Sequence, residues 1–151
     1  MKARPSEGGL LVAKVHQVGG RVFARLLRED GSFPINPAQG RILFALWKSG
    51  SMAMTALARE TALEPSTLTS MLDRLEEAGL IRRVPSNEDR RAITVERTDA
   101  DRALEQRYAA ISDRMGKLFY GSLPSAERKA FESTLARILD NLLAAERDLR
   151  L

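Results

Sequence analysis

Residues 66–98 read STLTSMLDRLEEAGLIRRVPSNEDRRAITVERT. Leu68, Met71, Leu72 and Leu75 recur at i, i+3, i+4 and i+7, the spacing of one helix face. Pro65 suits the first turn of that helix and Gly79 a left-handed cap at its end. The pattern then changes period. LIRRV reads as a strand, a polar loop carries Glu88, Asp89, Arg90 and Arg91, and AITVE alternates apolar Ile93 and Val95 with polar Thr94 and Glu96. Two strands joined by a polar loop make a hairpin. A lone hairpin is marginal in water, so this one has to lean on the helices.

Just upstream, MTALARET (54–61) makes a brief helix with Leu57 and Ala58 inward, and ALEP turns the chain. Two short helices, a tight turn and a hairpin spell a winged helix-turn-helix. Further upstream, Ile42, Leu43, Leu46 and Trp47 share a helix face, with Asn36 as its cap and Pro37 at its first position. Gly31, Pro34 and Pro37 separate that helix from an earlier one over 10–28, striped by Leu11, Val15, Val18, Val22 and Leu26. After the hairpin, Leu104, Tyr108, Ile111, Met115 and Leu118 mark a helix over 99–121. A break at GSLPSAERKAF follows, where Ser122 or Ser125 is available as a cap and Pro124 followed by Ser125 and Glu127 suits a helix start. The last helix carries Phe131, Leu135, Ile138, Leu142, Ala145 and Leu149 on a heptad-like seam. The expected fold is mainly α with a small β-hairpin wing. It divides into an N-terminal dimerisation helix (1–35), a winged core (36–98) and C-terminal dimerisation helices (99–151).

The 151 residues are 44% hydrophobic and 29% charged, the composition of a folded domain with a real core. No apolar run is long enough to span a membrane, and no secretory leader is visible, so the expected location is cytoplasmic. The chain has no cysteine, which excludes disulfides, thiolate metal sites and thiol redox sensing. Its single histidine, His16, cannot build a multi-histidine metal site and is a poor start for acid–base catalysis. No nucleophile–base arrangement or phosphate loop stands out. Neither enzyme activity nor a cofactor is therefore expected.

Net charge is +4, which permits a nucleic acid partner. Its distribution does not point at the reading helix. Residues 1–48 carry +5, 49–98 carry −1, and 99–151 are neutral. With the leucines buried, residues 66–74 present Ser66, Thr67, Thr69, Ser70, Asp73 and Arg74 outward. Small hydroxyl side chains let a helix N-terminus approach phosphates and base edges closely. The ordinary alternative is a solvated, self-capped helix start. Arg90 and Arg91 beside Asp89 suit a wing that puts a guanidinium into a minor groove, where the potential is most negative. The ordinary alternative there is a solvated charged turn.

Residues 37–98, and above all STLTSMLDRLEEAGLI with the wing motif DRR, resemble the MarR family of bacterial transcriptional regulators. The order of helices extends that resemblance along nearly the whole chain. The resemblance implies that Ser66, Thr67, Thr69, Ser70 and Arg74 lie on the DNA-facing helix. It further implies that Asp89 braces Arg91 and that Arg91 enters the minor groove. The family often reads Leu-Thr-Glu-x-Gly after the wing; here Arg97 stands for the leucine and Asp101 for the glycine.

The apolar stripes at both chain ends independently call for a partner surface, either a second copy or the chain's own winged core. A homodimer through Leu11, Val15, Val18, Leu135, Ile138, Leu142 and Leu149 would carry two reading heads for an inverted repeat in double-stranded DNA. The resemblance also implies a small aromatic or phenolic effector that releases DNA. His16, Arg21, Trp47 and Tyr108 are the candidate lining, Arg21 for a carboxylate and the rings for stacking. Trp47 reads equally as core, and His16 as a surface or dimer-contact residue. The expected function is a dimeric, DNA-binding transcriptional repressor, with a winged-helix protein-interaction module as the alternative.

Overall fold

The structure, a computed structural model, describes residues 4, 6–31, 35–89 and 91–149. Its elements in chain order are α1 (Gly8–Glu29), α2 (Pro37–Ser49), β1 (Met52–Ala53), α3 (Met54–Thr61), α4 (Pro65–Glu77), β2 (Ile81–Pro85), β3 (Ile93–Arg97), α5 (Asp99–Tyr120) and α6 (Ser125–Asp148). They fall into two compact units, Met1–Met115 and Gly116–Leu151. Among the described residues no helix is long and apolar enough to cross a membrane.

Local chemistry sets the boundaries. Asn36 and Gln39 form a reciprocal capping box at the start of α2. The Gln39 amide donates to Asn36 Oδ1 (2.8 Å), and the Asn36 amide donates to Gln39 Oε1 (3.0 Å). Gly50 (φ +74°) ends α2, and Gly79 (φ +77°) lets the chain leave α4 for β2. α6 starts at Ser125, directly after Pro124 and with Glu127 in its first turn, where the Pro-Ser-x-Glu run suits a helix start. Its cap position is Pro124 and no side chain bonds the first turn, so neither Ser122 nor Ser125 acts as the cap.

The core of the first unit is built from the stripes. Ile42, Leu43 and Leu46 of α2, Leu57 of α3, and Leu68, Leu72 and Leu75 of α4 are almost fully buried, together with Ile81 and Val95 of the sheet. Each such side chain contributes roughly 1.5–3 kcal/mol by leaving water. Leu104, Tyr108 and Ile111 of α5 and Leu26 and Leu27 of α1 close the same cluster.

The sheet has one strand more than the expected hairpin. β2 and β3 pair antiparallel, Ile81 opposite Arg97 and Pro85 opposite Ile93, and β1 adds to the other edge of β3, Met52 opposite Val95. β1 covers an edge that would otherwise expose unpaired backbone groups. Both hairpin strands also sit one residue later than the alternation suggested, at 81–85 and 93–97.

In the second unit, Gly121 (φ +55°) separates the end of α5 from α6. The Tyr120 ring packs edge-on against Phe131 with centroids 6.2 Å apart, and its hydroxyl donates to Glu132 (2.6 Å). No residue of α6 is buried, and Ile138, Leu142 and Leu149 are 44%, 62% and 68% exposed.

Candidate nucleic-acid interface

α4 offers its N-terminal half to solvent. Ser66, Thr67, Thr69, Ser70 and Arg74 are all exposed. Glu64, the residue before the helix, makes no side-chain cap bond, so first-turn amides are left for water or an anion. The Thr69 hydroxyl donates to the Pro65 carbonyl (2.9 Å), a bond back to the preceding turn of the helix.

The acids of α4 have a partner that sequence reasoning missed. Arg83 of β2 reaches Asp73 (2.6 Å) with Nη2 and Glu76 (2.7 Å) with Nε. Hydrogen bonding to Glu76 and then to Asp73 outweighs burial and raises the pKa of Arg83 above its ordinary value. One guanidinium thus offsets two carboxylates on the flank of the helix. A reading helix in a net acidic segment becomes intelligible on this basis. The only signal in the sequence was that excess acid.

The wing tip is folded by Asp89. Its carboxylate accepts from the Arg91 amide (3.0 Å), while Ala92 N–H donates to the Asp89 carbonyl (3.0 Å) and Ser86 N–H to the Ala92 carbonyl (2.9 Å). This is an Asx-type turn, in which a short carboxylate substitutes for a backbone acceptor. The contact from Asp89 to Arg91 runs to the backbone amide and leaves the Arg91 residue exposed. Arg90 lies outside the described residues.

At the foot of the wing, the two departures noted after the hairpin meet. Arg97 ends β3, and its Nε donates to Asp101 Oδ2 (2.6 Å), while Nη2 bonds Glu105. Asp101 is fully buried, and its Oδ1 accepts from Trp47 Nε1 (2.7 Å). Burial opposes the charge on Arg97, but Asp101 and Glu105 outweigh it and raise its pKa. Thr98 joins the same knot. Its hydroxyl donates to the Gly79 carbonyl (2.6 Å) and accepts from the Asp101 amide (3.2 Å). A buried carboxylate is tolerated where charge and hydrogen bonds satisfy it, as here.

The candidate effector residues divide into two pairs. Trp47 and Tyr108 meet edge to face with centroids 4.8 Å apart, and Phe23 packs on the other side of Tyr108 at 5.6 Å. Burial pushes the Tyr108 hydroxyl up to about 12. The same ring sits so close to Gly40 that a Cβ there would lie 2.3 Å from Tyr108 Oη. Trp47 and Tyr108 line a cavity of about 330 Å³ with Phe44, Lys48, Glu105, Ala109 and Ser112. His16 and Arg21 are exposed on α1 and are not in that lining. On the same helix Leu11, Val15 and Val18 are 54%, 47% and 48% exposed; Leu135 of α6 is half-buried.

Comparison with known proteins agrees with this architecture. A sequence profile of the MarR family matches residues 35–93. The organic hydroperoxide resistance transcriptional regulator of Bacillus subtilis is 31% identical over 101 residues, 66% of this chain and 67% of that protein. Across curated relatives the matched stretch spans 42% to 75% of the relative's length. Among solved structures, a single-substitution mutant of Escherichia coli MarR complexed with operator DNA is 25% identical and covers 87% of this chain and 92% of its own, with TM-score 0.75. BpsR of Bordetella bronchiseptica, described as regulated in DNA binding by 6-hydroxynicotinic acid, is 23% identical, covering 88% and 98% with TM-score 0.77. The wing, the uncapped α4 and these similarities together identify the chain as a member of the MarR family of winged helix-turn-helix transcriptional regulators.

Proposed function

We propose that the protein is a homodimeric repressor that acts in the cytoplasm and reads an inverted repeat in double-stranded DNA. The observation that carries this is the pairing of an exposed, uncapped α4 N-terminus with a wing tip folded by Asp89 that leaves Arg91 outward. α4 enters the major groove through Ser66, Thr67, Thr69, Ser70 and Arg74, and Arg91, with Arg90, follows the adjacent minor groove. Phosphate contacts supply affinity and base edges supply specificity. The operator-bound E. coli relative supports this reading.

The exposed apolar stripes support the dimer. α1 carries Leu11, Val15 and Val18, and α6 carries Ile138, Leu142 and Leu149; a second copy covers them. The division into 1–35, 36–98 and 99–151 follows as dimerising, reading and dimerising segments. Half-sites then lie about one helical turn, roughly 10 base pairs, apart. Blocking polymerase at an overlapping promoter gives repression without any catalytic chemistry.

A small aromatic effector is part of the proposal, supported by the cavity beside Trp47 and Tyr108 and by the BpsR similarity. It acts only through unequal affinity for the DNA-bound and free arrangements of the heads. Replacing Arg91 by Ala tests the wing. DNA binding weakens by about 1–3 kcal/mol, while sedimentation shows an unchanged dimer. Unaltered affinity would remove the wing from the mechanism.

A further inference from the structure

We propose that Asp101 is a positioning residue that couples the aromatic cavity between α2 and α5 to the posture of the wing, through the relay Trp47–Asp101–Arg97. The consequence for DNA rests on the repressor reading above; the coupling itself does not.

Two elements meet at the buried carboxylate of Asp101, and a third meets its backbone amide. Asp101 Oδ1 holds the indole of Trp47, a wall of the cavity. Asp101 Oδ2 holds Arg97, the last residue of β3, whose strand runs back to the wing tip. The amide of Asp101 meets the Thr98 hydroxyl, which in turn donates to the Gly79 carbonyl just past the end of α4. Glu105 belongs to both ends, since it bonds Arg97 and lines the cavity.

Asp101 is fully buried, so water cannot replace a lost donor without local opening. When the indole turns, Oδ1 must find another donor, and the nearest charged one is the guanidinium already on Oδ2. Arg97 then shifts toward Oδ1 and carries the foot of β3 with it. A molecule that reorients Trp47 in the cavity therefore reaches the wing without touching it. The relay makes the contact at the wing's foot a directional one, which responds to small rotations in a way that dispersion does not.

Trp47→Phe breaks the relay at its cavity end: an aromatic ring remains, while the N–H donor goes together with part of the indole's packing on Tyr108. The experiment measures amide hydrogen exchange residue by residue in the DNA-free protein, alongside DNA affinity in a double-mutant cycle with Arg91→Ala. The expected result is roughly three- to tenfold faster exchange over 81–97, with α1 and α3 amides unchanged. In the cycle, the losses from Trp47→Phe and Arg91→Ala combine to less than their product, because both act through the wing. Arg97→Gln, which breaks the relay from the other end, gives the same pattern and serves if Trp47→Phe does not fold. Unchanged wing exchange, or an equal acceleration at every amide, overturns the proposal. A wild-type protein without DNA affinity would sink the repressor reading, while exchange would still decide the relay.

Discussion

Arg83 is the residue whose removal best tests the electrostatics of the reading helix. Replacing it by Met keeps most of the apolar stem and deletes one positive charge between Asp73 and Glu76. Both carboxylates are more than a third exposed, at 53% and 40%, so water screens the pairs and the cost in folding stability stays near or below about 1 kcal/mol. The effect on DNA is a separate quantity. If the proposed complex sets about three phosphates at about 10 Å from this side chain, one unit charge is worth about 0.9 kcal/mol at 0.01 M salt and about 0.4 kcal/mol at 0.15 M, after Debye screening. Arg83→Met therefore weakens DNA binding about fivefold at low salt and about twofold at physiological salt. Adding Asp73→Asn restores the charge balance and returns the affinity to wild type. The assay is fluorescence anisotropy on a labelled duplex at the two salt concentrations. A loss of equal size at both, or one that Asp73→Asn does not reverse, would refute the electrostatic reasoning and make Arg83 a purely geometric support.

The remaining predictions concern packing and assembly. Leu142→Asp puts a charge on the exposed α6 stripe and shifts the dimer to monomer in sedimentation velocity; an intact DNA-binding dimer would exclude that face from the interface. Gly40→Ala drives a methyl group against Tyr108 and lowers stability by about 1–3 kcal/mol in denaturant titration; no loss would mean that the ring moves aside freely. The Tyr108 hydroxyl rises from 10.0 to about 12 in the folded chain, so the unfolded state releases this proton first. Its contribution is intact below pH 10 and is lost as pH climbs through 12, a fall of at most about 3 kcal/mol that Tyr108→Phe lacks. Parallel pH profiles for the two proteins would contradict the assignment.

The helices were legible because each buries one face, and the leucine spacing of α4 and the apolar runs of α2 and α5 record that directly. The Asn36–Gln39 box is legible in the sequence, an Asn followed three residues later by Gln at a helix start, although only its cap was read. β1 escaped because two residues carry no period, and Met52–Ala53 becomes a strand only when the edge of β3 is there to receive it. The same limit applies to the site. Hydroxyls on α4 and arginine at the wing follow from local pattern. The Arg83 bridge depends on how β2 lies beside α4. Arg97 and Asp101 stood out in the sequence as unusual residues, but their meaning depends on Trp47, 54 positions before Asp101. Trp47 and Tyr108 meet because α2 and α5 share the core, whereas His16 and Arg21 lie on the exposed part of α1.

The relatives include a regulator of organic hydroperoxide resistance, yet this chain has no cysteine with which to sense a peroxide. A thiol-based peroxide response is therefore closed to it. The aromatic effector proposed above would meet both the Trp47 and Tyr108 rings in the cavity between α2 and α5.

The most direct test of the central claim is selection of binding duplexes from a random double-stranded library, followed by a salt titration on the enriched sequence. The repressor reading predicts an enriched inverted repeat whose affinity falls steeply with salt as phosphate contacts are lost. No enrichment at low salt, where those contacts are strongest, would contradict it and turn the winged core into a protein-binding module.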